Sequence, residues 1–337
     1  MTINEIARMA GVSRATVSRY LNSGYVSAEK SERIRRVIEE TGYRPSAQAQ
    51  ILRTKKTRLI GVVIPKINSD SISRMVAGIS GVLSRSGYEL LLANTDNNEK
   101  EEIKYLNMFA SNNQVDGVIL IGTILTGEHR KAIKNMRLPI VVLGQQVSQC
   151  SCVYYDDYCA ARELTELLLR AGSRIGYIGV TQRDQAAGRM RRKGFEDALR
   201  AAGRKLVPEW TAEAKFRMDS GYEAARQIFE RENVPDSLFC ATDNIAIGAM
   251  LYLRDRGIDV PGEVQVAGIG DTEKARIVQP SLCTVHYYYK TSGEEAARLL
   301  LNLLDSEENV AKEIKMGYKI IENDSIRKER EALATAR

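Results

Sequence analysis

At 337 residues, 44% of them hydrophobic, the chain holds more apolar material than one core of typical size needs and supports two or three. No window approaches the ~18 uninterrupted apolar residues of a membrane helix, and the opening Met1-Thr2-Ile3-Asn4-Glu5 lacks the basic and apolar regions of a secretory signal, so the expectation is a cytoplasmic protein. The net charge of +6 is uneven: residues 1–58 hold 12 Lys+Arg against 5 Asp+Glu, which puts a basic, anion-seeking surface at the N-terminus.

Thr2 followed by Glu5 is a capping box, so a helix begins there, with Ile6, Ala7 and Ala10 as its apolar face and Gly11 suited to a left-handed turn. Ser13 caps a second helix. Val12, Val17 and Leu21 point inward at helical spacing, which leaves Ser13, Arg14, Ala15, Thr16, Ser18, Arg19 and Asn22 on or near the outward face. A third helix from about Ser27 to Thr41 closes a small core through Ile34, Val37 and Ile38. The pattern predicts a three-helix helix-turn-helix DNA-binding domain over residues 1–45. Arg14 and Arg19 present planar forks to guanine O6/N7 or to phosphate, and Ala15 is small and apolar enough to meet a thymine methyl; Thr2, at the first cap, joins the DNA-facing set. A plain helical hairpin is the alternative, but turn, caps, spacing and charge agree on the DNA-reading form.

The run TINEIARMAGVSRATVSRYLN, followed by VS and then GYRPSAQAQILRTKKT, resembles the LacI/GalR family of bacterial repressors, and the likeness continues into the rest of the chain. It implies that Arg14 and Ala15 read the major groove, with Arg19 further along. Residues 46–58 are then a hinge helix and linker. Pro45-Ser46 is a helix start, but Ala47, Gln48, Ala49, Gln50, Ile51 and Leu52 allow only about two turns, too short to be stable alone. The resemblance implies that this hinge folds on the operator beside its twin, with Ser46, Ala47 and Gln50 on DNA and Leu52 wedged into the minor groove. Gln50 departs from the arginine that many relatives carry. A disordered tether is the alternative reading.

Residues 59–337 open on the apolar run Leu59–Ile64, a helical pattern through Val76, Ile79, Val82 and Leu83, and a second run at Tyr88–Ala93. Strand, helix, strand spacing argues for βαβ units and a parallel sheet, and the pattern recurs at Val118–Leu120, Ile140–Leu143, Ile175–Ile178, Leu238–Cys240 and Val264–Val266. The expected class is α/β, with two doubly wound lobes. Five cysteines, Cys150, Cys152, Cys159, Cys240 and Cys283, are an odd and scattered number, so neither a disulfide framework nor a metal centre is expected.

The resemblance, carried here by VDGVIL, GSRIGYIGV, GFEDAL, ATDNIAIGAM and VPGEVQVAGIGD, implies a periplasmic-binding-protein-like sensor domain with its ligand between the lobes. Ligands in open α/β lobes sit beyond the carboxyl ends of strands. By resemblance, Asp156 is the cleft aspartate, Arg191 the ligand-binding arginine and Phe216 an aromatic plate; a solvated helix face and a core position are the bland alternatives for the last two. Thr242 and Asp243 follow a strand, and Asp243 could instead cap the next helix. The family's usual Tyr-Asp pair reads Ile269-Gly270, leaving Asp271 one position later. Tyr287 and Tyr289 suggest an aromatic wall, and Gln145 and Gln146 offer amides to a neutral ligand.

The expectation is a sequence-specific transcriptional regulator: a homodimeric repressor of carbohydrate-utilisation genes, on a pseudo-palindromic operator, released by a small neutral sugar. The alternatives are a corepressor-dependent regulator responding to a purine or phosphorylated sugar, and a sugar-binding protein that does not bind DNA. No cofactor is expected. An enzyme is disfavoured, since the chain has two histidines, no P-loop and no nucleophile elbow.

Overall fold

The computed structural model describes residues 1–22, 24–43, 56–111, 114–306, 308 and 310–328. Two compact units divide the chain, Met1–Thr57 and Arg58–Arg337.

The described residues of the first unit hold three helices, α1 Ile3–Met9, α2 Arg14–Leu21 and α3 Ala28–Thr41. The capping box is present: the Thr2 amide donates to Glu5 Oε2 at 2.7 Å, and the Glu5 amide donates to Thr2 Oγ1 at 3.4 Å. Gly11 takes the left-handed conformation, at φ +62°, between α1 and α2. Ile6, Val17 and Ile34, one from each helix, are fully buried, with Ala7, Ala10 and Val37 beside them and Val12, Leu21 and Ile38 packed around the edge.

In the second unit two six-stranded sheets repeat one topology. The first contains β1 Leu59–Ile64, β2 Glu89–Asn94, β3 Gly117–Ile121, β4 Ile140–Leu143, β5 Ser151–Tyr155 and β11 Glu313–Met316, in the order β11-β5-β4-β3-β1-β2, all parallel. The second contains β6 Ile175–Gly179, β7 Thr211–Glu213, β8 Ser237–Cys240, β9 Gln265–Ile269, β10 Cys283–Tyr287 and β12 Tyr318–Ile321, in the order β12-β10-β9-β8-β6-β7. Among the described strands of this sheet, only the β10–β12 pair is antiparallel. The apolar runs β1, β3, β6 and β8 are buried along nearly their whole length, as strands covered on both faces must be.

Helices cover both sheets. In the first lobe they are α4 Asp70–Arg85, α5 Glu99–Ser111 and α6 Gly127–Asn135; the second has α7 Asp157–Leu169, α8 Arg191–Ala201, α9 Met218–Phe229, α10 Asp243–Asp255 and the short α11 Glu273–Ile277. The last of the described helices, α12 Tyr289–Asp305, returns to the first lobe and packs on α4 and on β3, β4 and β5. Among the described residues the chain therefore crosses between lobes three times, at Asp156, at Tyr288 and at Gly317. The α4–α12 contact is close: a Cβ on Gly78 would collide with the Lys290 carbonyl, and one on Gly293 with the Met75 carbonyl. Among the described residues, no helix is long and apolar enough to cross a membrane.

Candidate functional site

On the first unit, the N-terminus of α2 is capped by its own side chains. Ser13 Oγ accepts from the Thr16 amide at 3.2 Å and lies 2.9 Å from Thr16 Oγ1, and the first turn carries no acidic residue. Arg14, Ala15 and Arg19 are exposed, with Thr16 and Ser18 half-buried beside them. Asn22, exposed at the end of α2, turns its amide onto the Ser18 carbonyl. Gly24 leaves room for the Arg19 stem, since a Cβ there would come within 2.7 Å of Arg19 Cγ. Ser46, Ala47, Gln50 and Leu52 lie outside the described residues.

In the second unit a cavity of about 540 Å³ opens between the lobes. Its walls are the segments that follow the strands: Pro65 and Lys66 after β1, Gly122 and Thr123 after β3, Gln145 after β4, Asp157 after β5, Thr181 and Asp184 after β6, Thr242 and Asp243 after β8, and Gly270 after β9. These are carboxyl ends flanking the two positions where strand order reverses, β1/β3 and β6/β8, where the topology leaves a crevice.

Arg191 stands at its floor. A six-residue π-helix, Gln185–Met190, runs directly into α8 and delivers Arg191 as the first residue of that helix. The guanidinium is buried; Nε donates to Asp157 Oδ1 at 2.7 Å and Nη1 donates to the Ala241 carbonyl. Tyr287 hydroxyl donates to the same Asp157 oxygen at 3.0 Å, and the Tyr287 ring lies under the guanidinium at 5.5 Å. Burial works against the arginine's charge, but Asp157 holds its pKa above the ordinary value. Arg191 Nη2 and Asp157 Oδ2 make no hydrogen bond among the described residues, which leaves one donor and one acceptor on two residues of the cavity lining.

Asp243 is also buried, its oxygens taken by Thr284 hydroxyl and by the Thr272 amide at 2.8 Å; burial pushes its pKa up to about 6. The cap of α10 is Thr242, whose Oγ1 accepts from the Ile245 amide at 3.4 Å, so Asp243 does not serve as the cap. Phe216, 38% exposed, lies at the lip, and Tyr289 forms part of the wall.

Four expected cleft residues lie elsewhere. Asp156 caps α7 by accepting from the Cys159 amide at 3.2 Å and pairs with Lys315 Nζ at 2.8 Å, outside the cavity; the next residue, Asp157, lines it. Gln146 is exposed and donates to Glu313 at 2.7 Å, whereas Gln145 faces the cleft. Asp271 turns away to His286 Nδ1 at 2.7 Å and Arg276 Nη2 at 2.8 Å. Tyr287 sits behind the site as support for Arg191 and Asp157.

Sequence reasoning did not find Asp157, Asp184, Asn244 or Arg74. Asp184 caps the π-helix through the Ala187 amide at 2.9 Å, and its place three residues before the capped amide was a legible cap signal. Asn244 Oδ1 is buried with no hydrogen-bond partner among the described residues. Arg74, from α4, lies over the Tyr289 ring at 4.8 Å and donates to the Gly270 carbonyl at 2.8 Å; nothing in its local sequence marks that role. Among the described residues no group of three or more His, Cys, Asp or Glu is placed to hold a metal. The five cysteines are free.

Comparison with known proteins bears on both units. Residues 2–46 match the model of bacterial regulatory proteins of the lacI family, and residues 165–326 match a periplasmic binding protein-like domain. Catabolite control protein A of Priestia megaterium is 31% identical over 91% of this chain and 93% of its own length. The chain belongs to the lacI family. The sucrose operon repressor of Staphylococcus xylosus is 30% identical, over 90% of this chain and 94% of its own. A solved structure of the transcriptional regulator CelR in complex with cellobiose matches with a TM-score of 0.74 and 28% identity, covering 96% of this chain and 99% of that one. As a lacI-family member this chain is a DNA-binding transcriptional regulator with a helix-turn-helix domain and a two-lobed α/β domain.

Proposed function

We propose that this lacI-family protein is a non-catalytic, homodimeric repressor, working at the nucleoid, whose hold on a pseudo-palindromic operator is relieved by a small neutral sugar. The observation that carries the effector reading is the Arg191–Asp157 ion pair on the cavity lining, which keeps a donor, Nη2, and an acceptor, Oδ2, without a hydrogen bond among the described residues. A sugar hydroxyl accepts and donates at once, so a diol fits such a donor and acceptor, while Tyr289 and Phe216 offer apolar faces to a ring. Asn244 Oδ1 adds an acceptor in need of a donor. The family relative solved with cellobiose supports the same ligand class.

In this reading DNA is held by Arg14, Ala15, Thr16, Ser18 and Arg19, flanked by Thr2, Ser13 and Asn22. Residues 1–45 read DNA, 46–58 form the hinge with Ser46, Ala47, Gln50 and Leu52 on the operator, and 59–337 sense. A second copy is supported by the outward face of α4, where Ser73, Ala77 and Ser84 are exposed or half-buried and uncharged, beside the free edge of β2 with Leu91 39% exposed. A phosphorylated sugar is the second reading, favoured by Lys66 and Lys215 on the cavity wall, neither paired with a carboxylate among the described residues. The buried carboxylates Asp157, Asp184 and Asp243 on that wall oppose an anionic ligand.

A thermal-shift screen against mono- and disaccharides, their phosphates and purine bases tests the proposal, because a specific ligand raises the unfolding midpoint by mass action. A midpoint rise with a neutral sugar is expected; a rise with phosphosugars or purines alone overturns the neutral-sugar reading.

A further inference from the structure

Two consecutive residues of the second lobe, Arg183 and Asp184, reach across the cavity mouth to the first. Arg183 pairs with Glu99, the first residue of α5, at 2.8 Å. Asp184 Oδ1 accepts from Gln145 Nε2 at 3.0 Å, and the same Gln145 nitrogen donates to the Thr123 carbonyl of its own lobe at 2.8 Å. Asp184 Oδ1 also accepts from the Ala187 amide, the cap of the π-helix that ends at Arg191. One carboxylate oxygen is thus shared between a first-lobe side chain and the helix that carries the cavity-floor arginine.

We propose that Arg183 and Asp184 form an interlobe clasp that ties the Arg191 helix to the first lobe and sets how far the cleft opens, Asp184 acting as the positioning residue between the two.

Burial gives the clasp its strength. Asp184 is 3% exposed and forms no ion pair among the described residues, so its charge rests chiefly on the two N–H donors that hold it, with the Arg191 charge a smaller support. Losing Gln145 removes one of those donors, which makes the opening of the lobes and the solvation of Asp184 a single event. The π-helix then transmits the motion: Gly188 packs so close to the Thr181 carbonyl that a Cβ would collide with it, so the segment moves with the end of β6 as a block rather than flexing within itself. Connectivity carries it further. The first lobe begins at Leu59, directly after the linker, so a clasp onto that lobe acts on the part of the sensor to which residues 1–57 are joined by the chain.

The biological use of the clasp rests on the effector reading above, but its existence does not, and it is tested on the full-length protein without any ligand. Hydrogen exchange of residues 121–124 and 180–187 reads lobe opening directly. Arg183→Glu is expected to speed exchange in both segments about threefold, as an exposed ion pair allows. Gln145→Ala keeps the helix cap intact and is expected to speed it about tenfold, the scale of a hydrogen bond to a buried charge. The double variant Glu99→Arg/Arg183→Glu restores the wild-type rates. A purely local role for these residues would leave the opposite lobe unmoved. Unchanged exchange across the cleft in Gln145→Ala, or a charge-swapped double variant no closer to wild type than Arg183→Glu alone, overturns the clasp. Neither result touches the choice of effector, which the ligand screen decides separately.

Discussion

Asp157 and Arg191 form a buried ion pair, Oδ1 to Nε at 2.7 Å, with side chains 3% and 8% exposed. Removing either partner leaves a charge stranded away from water, which typically costs about 3–5 kcal/mol. We therefore predict that Asp157→Ala is destabilised on that scale in denaturant unfolding, whereas Asp156→Ala, which loses the cap of α7 and a pair with Lys315 near the surface, is destabilised by about 1–2 kcal/mol. Equal losses would contradict the assignment of Asp157 rather than Asp156 to the cleft. In binding assays, Arg191→Lys keeps the charge but not the fork; it should retain operator affinity and lose its response to the effector.

Helix packing supplies a second prediction. Gly78 and Gly293 let α4 and α12 touch backbone to backbone, and a methyl on either meets a carbonyl that cannot swing aside. Gly78→Ala should cost about 1–3 kcal/mol, the usual penalty for overpacking. Gly81→Ala, on the same helix with open space around its Cβ position, should be neutral or slightly stabilising. A thermal melt of both variants decides it, and a stable Gly78→Ala would mean the helices are free to separate.

Asp243 gives a pH signature of defined sign. Its pKa in the folded chain stands at about 6 against the ordinary 3.8, raised by burial. Between those values the folded protein holds a proton that the unfolded chain has lost, so this residue's contribution to stability falls as pH rises through the window. Relative to Asp243→Asn, wild type should lose up to about 3 kcal/mol between pH 4 and pH 7, since each tenfold difference in proton affinity between folded and unfolded chains is worth about 1.4 kcal/mol. Stability curves of the two proteins that run parallel over that range would show that Asp243 titrates normally.

On the DNA side, Ser13→Ala removes the cap of α2 and should cost about 1 kcal/mol of stability. Arg14→Ala should leave stability unchanged while weakening operator binding by about 1–3 kcal/mol if the fork reads a base. The salt dependence separates base from phosphate: a phosphate contact lowers the slope of log affinity against log salt by about one. Unchanged affinity in Arg14→Ala removes this residue from the interface.

The large features of this molecule were legible because single residue types decide them. Thr2, Glu5, Gly11 and Ser13 each have one local job, and apolar runs such as Leu59–Ile64 and Ile175–Ile178 can only be covered strands. Much of the cleft was legible, since Arg191, Phe216, Thr242, Asp243 and Tyr289 all line it, but at three turns the reading fell one residue away. At Asp156 and Asp157 the chain leaves strand β5 for helix α7, and whichever aspartate caps the helix necessarily turns its side chain back on its own backbone. At Gln145 and Gln146 the left-handed Gly144, φ +94°, resets which side chain faces inward, and Gly270 and Asp271, φ +148° and +45°, do the same after β9. Such resets follow from how loops close, which apolar periodicity does not record. The strands that went unread have a matching cause: Thr284 and His286 interrupt the apolar run of β10, β7 is three residues long, and β11 and β12 are four-residue edge strands without a fully buried position. Arg74 acts 196 residues away in sequence, on the Gly270 carbonyl, a contact that no local pattern encodes.

Operator binding with and without effector tests the regulator mechanism most directly. A duplex selected from random sequence by the purified protein, labelled for fluorescence anisotropy, would be titrated with protein in the presence of each neutral sugar that raises the melting midpoint. Such a sugar is predicted to weaken binding at least about tenfold, a coupling of about 1.4 kcal/mol, and Arg191→Lys to bind the same duplex without that response. Tighter binding in the presence of the ligand, or weakening by purines or phosphosugars but by no neutral sugar, would contradict a repressor released by a neutral sugar.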